Sequence, residues 1–105
     1  MPHYLLAYHG GGMPKDEKEQ QRVMVAWGKW YDKLGKAIVD GGNPIGRWKT
    51  VARTGRITNT GGKNPVTGYT IIAADDIDQA AKLAKNCPIV KSGGSVEVCE
   101  TFEVM

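Results

Sequence analysis

Val23, Trp27, Trp30 and Leu34 recur at helical spacing with Met24 and Tyr31 beside them, and few folds can take an apolar stripe this heavy. Two tryptophans one turn apart cover a wide surface, so the helix that carries them is expected to lie across a sheet. The residues after Leu34 set the direction of the chain. Gly35 takes the left-handed conformation of a helix stop without penalty. Ala37-Ile38-Val39 then reads as a short strand, and Gly41-Gly42-Asn43-Pro44 as the turn that ends it. A chain of 105 residues has room for one core and not for two, so residues 1–105 are expected to form one domain around this helix.

The rest of the chain supplies the sheet. Tyr4-Leu5-Leu6-Ala7-Tyr8 is apolar on both alternating faces and reads as a central strand, closed by the turn His9-Gly10-Gly11-Gly12. After Met13-Pro14, the charged run from Lys15 to Gln21 opens the long helix, with Asp16 and Glu17 at the positive end of its dipole. Trp48 to Arg53 and Arg56 to Thr58, split by Thr54-Gly55, form a small hairpin, and Tyr69 to Ala74 a second central strand. Asp75-Asp76 caps a helix with Ile77, Ala80, Ala81 and Ala84 on its apolar face, and Cys87-Pro88 ends it. Val96, Val98, Phe102 and Val104 alternate with polar residues in a last strand.

Strand, long helix, strand, hairpin, strand, helix, strand folds most economically as an α+β, ferredoxin-like antiparallel sheet with two helices on one face. The other face then has no cover. Because the two central strands are apolar on both sides, that face is expected to pack against a second copy in a two-fold homodimer.

Composition removes several function classes. The net charge of +3 comes from cations with acids placed among them, which lacks the footprint of a nucleic-acid binder. No apolar run approaches the ~20 residues of a membrane helix, and the start Met1-Pro2-His3-Tyr4 does not read as a secretory signal, so a cytoplasmic protein is expected. Cys87 and Cys99 are too few for a zinc site, and no metal is expected; two thiols fit a cytoplasmic setting better than a disulfide.

The candidate chemistry is thin. His9, just past the first strand and beside three glycines, is the natural candidate for proton transfer, although a histidine at a strand end is more often a hydrogen-bonded turn residue. Asp40 could orient that histidine or act as a base; equally, it could bond the amides of Gly41 and Gly42. Trp27, Trp30 and Tyr8 could wall a pocket between sheet and long helix, with Asn43 as a polar handle, although core packing explains the tryptophans as well. These residues admit two functions, beside a third reading as an interaction module assisting a partner protein. One is a small-molecule-binding dimer; the alternative is a lyase or isomerase moving a proton on a small cyclic or aromatic substrate through His9 and Asp40. Neither calls for a cofactor.

Taken together, Tyr8-His9-Gly10-Gly11, Trp27 and Trp30 ahead of Leu34-Gly35, Val39 to Pro44, Gly68-Tyr69-Thr70-Ile71, Ala74 to Ala80, Cys87-Pro88 and Gly93 to Val98 resemble the YCII-related family, small bacterial proteins also called DGPF-domain proteins. The resemblance runs over nearly the whole chain. It implies a ferredoxin-like protomer that pairs as a dimeric α/β barrel, and a catalytic histidine on the long helix with a nearby aspartate in some relatives, one of which dechlorinates an aromatic breakdown product. This chain departs from that pattern. Val23 to Trp27 holds no histidine, and Ile57 to Gly62 lacks the Asp-Gly-Pro-Phe motif, so a site here would be rebuilt around His9 and Asp40.

Overall fold

Asp16 opens the long helix by accepting a hydrogen bond from the Glu19 amide at 2.8 Å, and α1 runs Glu17–Leu34. The computed structural model describes residues 1–11 and 16–104, so Gly12, Met13-Pro14 and Lys15 lie outside the described residues. The helix stops where expected, at Gly35, whose φ of 50° is open to glycine and whose amide donates to the Tyr31 carbonyl. The next three residues, Gly35–Ala37, continue as a 3₁₀ turn. That turn takes up Ala37, so β2 is Ile38–Asp40 rather than beginning at Ala37.

β1 (His3–His9) pairs antiparallel with β5 (Val66–Ala73), Leu5 opposite Ile71, and on its other side with β6 (Ser95–Glu100), Leu5 opposite Cys99. The sheet order is β2-β5-β1-β6, which puts both strands with two apolar sides in the middle. Tyr4, Leu6 and Tyr8 of β1 share one face with Thr70 and Ile72 of β5, and all five are buried. Against them pack Trp30 and Leu34 of α1 and Ala80 and Ala84 of α2 (Ile77–Ala84). Burying a side chain as large as Trp30 contributes roughly 2–3 kcal/mol. The small alanines let α2 lie close to the sheet.

Two expectations need correction. The chain has a third helix, α3 (Pro88–Lys91), because Pro88 sits at a helix's first turn, where its missing amide costs nothing, and so starts a helix directly after ending the previous segment. The last strand is also shorter than its sequence alternation. β6 stops at Glu100, with two further bonds from Thr101, through its amide and its hydroxyl, to the His3 carbonyl, and Phe102 and Val104 are 82% and 84% exposed. Partner strand β1 begins at His3, so nothing remains for residues 102–104 to pair with.

The hairpin is present but small: β3 (Thr50–Val51) pairs with β4 (Ile57–Thr58) as a separate two-stranded unit. The sheet face away from the helices carries Leu5, Tyr69, Ile71 and Cys99, all partly exposed. Among the described residues, no helix is long and apolar enough to cross a membrane.

Candidate ligand-binding site

Between α1 and the His9 end of the sheet lies a cleft of about 280 Å³, walled by Tyr8, Trp27 and Tyr31 on one side and by the turn Gly42-Asn43-Pro44 on the other. Helical spacing supplies the first wall. Trp27 and Tyr31 are one turn apart on α1, their rings 5.9 Å apart, and Tyr8 of β1 meets Trp27 edge-on at 5.2 Å. The edge-to-face contact of Tyr8 with Trp27 is a favoured arrangement of aromatic rings, worth about 0.5–1.5 kcal/mol beyond the area buried. The floor comes from β5, through Thr67, Gly68 and Tyr69, and α3 closes one end with Ile89.

Asp40 holds the second wall in place without lining it. Its Oδ1 accepts from the Gly42 amide at 2.8 Å, the bond of an aspartate turn, and fixes Gly42 at a φ of 74°. A Cβ at Gly42 would overlap the Tyr69 carbonyl, so only glycine lets the turn approach β5 this closely. The isolated bridge between Pro44 and Gly68 and the bond from the Ile45 amide to the Thr67 carbonyl, 3.0 Å, secure the rest of the turn.

Under the cleft runs a chain of hydroxyls. Tyr8 donates to Thr70 Oγ1 at 2.7 Å, Thr70 donates to the Gly41 carbonyl at 3.1 Å, and the Tyr31 hydroxyl reaches the same carbonyl at 3.2 Å. Burial holds the Tyr8 phenol well above its ordinary value, only partly opposed by the Thr70 hydrogen bond. Buried Cys87 beside it is pushed up to about 11, again by burial first, so it rests as a thiol. Neither group supplies an anion near neutral pH. Among the described residues, the cleft wall contains no Asp, Glu, Lys, Arg or His.

The residues singled out from sequence are thus divided among three places. Tyr8, Trp27 and Asn43 line the cleft together. Trp30 stands behind it, 4% exposed, its indole Nε1 donating to the Leu83 carbonyl at 3.1 Å, and its ring braces Trp27 and Tyr8 instead of facing a ligand. Asp40 supports the rim through Gly42. His9 is on the open sheet face: Nδ1 lies 2.9 Å from the Asn64 carbonyl and Nε2 3.1 Å from Glu97 Oε1. Both ring nitrogens face acceptors, and the side chain does not line the cleft. An odd-numbered residue of β1 points away from the helices, while Tyr8 points under them. Sequence reading passed over Tyr31, Thr67 and Tyr69. Tyr31 carried a signal, four residues beyond Trp27, whereas Thr67 and Tyr69 reach the cleft only because β5 pairs beside the Gly42 turn.

An antiparallel ferredoxin-like sheet, with helices on one face and an uncharged aromatic cleft at the sheet's end, defines a small α+β protein. The model of the YCII-related domain matches residues 1–104, and the chain belongs to that family. No curated protein matches it in sequence. Among solved structures, it is similar to the 5-chloro-2-hydroxyhydroquinone dehydrochlorinase TftG from Burkholderia phenoliruptrix AC1100, in complex with 2,5-dihydroxybenzoquinone. The TM-score is 0.55 at 18% identity, covering 96% of this chain and 93% of that one, a likeness of fold.

Proposed function

We propose that this protein binds a small, uncharged, planar ligand in the cleft between α1 and the sheet, and that it does so as a homodimer acting as one unit over residues 1–105. The observation that carries the reading is the wall itself: three interlocked aromatic side chains facing a glycine turn, with no charged group among the described lining residues. An apolar cavity of about 150 Å³ takes benzene, so about 280 Å³ accommodates one substituted ring. Asn43 supplies the polar contact at the rim, and a charged ligand would lose its hydration without a partner. That a protein of the same fold is complexed with a dihydroxybenzoquinone supports a single oxygenated ring.

Proton transfer by His9 and Asp40 on such a ring requires both to meet one ligand. His9 is held by Asn64 and Glu97, and Asp40 by Gly42, which favours binding over the lyase or isomerase reading. The test is titration of the protein with hydroquinone and methoxyhydroquinone, both neutral near pH 7, followed by the indole and amide resonances of Trp27, Tyr31 and Asn43. Saturable shifts confined to these residues, lost in Trp27→Ala and kept in His9→Ala, are expected. Shifts centred on His9, or none at millimolar ring, overturn the reading.

A further inference from the structure

We infer that, in the proposed homodimer, the β3–β4 arm of each protomer holds the segment following β6 of the other, so that residues 102–104 are an exchanged strand.

The arm is exposed almost throughout and has no core of its own. A lone two-stranded hairpin is marginally stable in water, yet Val51 and Ile57 face each other across it, 67% and 61% exposed. Its charge is one-sided: residues 41–74 contain five cations, Arg47, Lys49, Arg53, Arg56 and Lys63, and none of the chain's eleven acids. Among the described residues, none of the five is in an ion pair.

At the opposite end of the sheet acids gather, with Lys36 and the Met1 amine among them. β1 is seven residues long, about 20 Å, and separates the arm, rooted beside His9 through the Trp48 indole bond to the Val66 carbonyl, from the segment after β6, rooted at His3. That end carries Asp75, Asp76, Asp78, Glu100 and Glu103, and its carboxylates are close enough that Glu100 and Asp76 add to burial in raising the Tyr4 phenol. There Phe102 and Val104 stand free. In an extended chain they share one side and leave Glu103 on the other.

One protomer cannot close this contact on itself across the length of its own sheet. A two-fold axis that packs the open faces with their β1 strands antiparallel brings each acidic end to the partner's basic arm, twice over. The parallel alternative stacks arm on arm and acid on acid, which like charge opposes. Phe102 and Val104 then cover Val51 and Ile57, while Glu103 meets the arm's arginines.

Val51→Cys and Phe102→Cys chains, each in a Cys99→Ser background because Cys99 lies on the open face, are mixed and oxidised, and Phe102→Asp is compared with wild type by sedimentation equilibrium. The mixture is expected to give a covalent pair at twice the 11.4 kDa chain mass. Phe102→Asp is expected to weaken dimerisation about tenfold, the loss of one anchor side chain. A monomeric wild type overturns the homodimer and this contact together. A wild-type dimer with no crosslink in the mixture, or with crosslinks in the Val51→Cys chain alone, overturns the exchange and leaves the homodimer standing.

Discussion

Gly42 shows how one residue can hold a site that it never fills. Its φ of 74° and its contact with the Tyr69 carbonyl leave no space for a Cβ, so Gly42→Ala must move the turn off β5. A loss of about 2–4 kcal/mol is expected from strain and displaced backbone, read by urea denaturation, together with loss of the cleft's ligand. Tyr8→Phe removes one buried bond but leaves Thr70 donating to Gly41, and should cost about 1 kcal/mol. The buried thiol makes a different prediction. Cys87 has its value raised from the ordinary 9.0 to about 11 in the folded chain, so above pH 9 the unfolded chain holds fewer protons than the folded one. Stability therefore falls as pH climbs from 9 to about 11, and Cys87→Ala should flatten that part of the curve relative to its own value at pH 7. At this scale sequence reads position better than direction. Asp40 ends its strand as expected, whereas His9, read as the first residue of the turn, is the last of β1; which way it points is set by strand alternation, and what it meets by the Asn64 loop from 55 residues away.

At the scale of elements, local signals worked wherever they were backed by a neighbour. The aromatic stripe of α1 became a helix because Asp16 caps it and Gly35 releases it, and β1 and β5 are central because both their sides are apolar. Asp76 caps α2 in the same way, accepting from the Gln79 amide at 2.8 Å. Asp76→Ala should cost about 1 kcal/mol, seen as a lower urea midpoint with an unchanged slope. Two elements were illegible for physical reasons. Proline signals both an end and a start, so Cys87-Pro88 concealed α3. Phe102 and Val104 keep the strand rhythm after the strand has run out of partner within its own chain.

Seen whole, the molecule is a slab, 43 × 43 × 18 Å, with a helical face that is finished and a sheet face that is not. A sheet with one solvated face normally alternates apolar and polar residues cleanly. Here Leu5, Tyr69, Ile71 and Cys99 occupy that face together, interrupted by Glu97 and by His9, which hold each other. Glu97 stands on the edge strand β6 and is held by His9, so the strip through Leu5, Tyr69 and Ile71 is apolar. If two such strips bury each other, the folded state gains a term that the separate chains lack, and stability becomes a function of concentration. Each tenfold rise in protein concentration should add about 1.4 kcal/mol to unfolding of the dimer, or a few degrees in Tm for a domain of this size. Calorimetry over two decades of concentration reads this directly. Ile71→Asp places a carboxylate in the middle of the strip, away from the cleft and from the helical core. It should yield a monomer by light scattering whose Tm no longer depends on concentration. A wild-type Tm that is flat over both decades would show that the open face is solvated in the working protein, and that the slab functions alone.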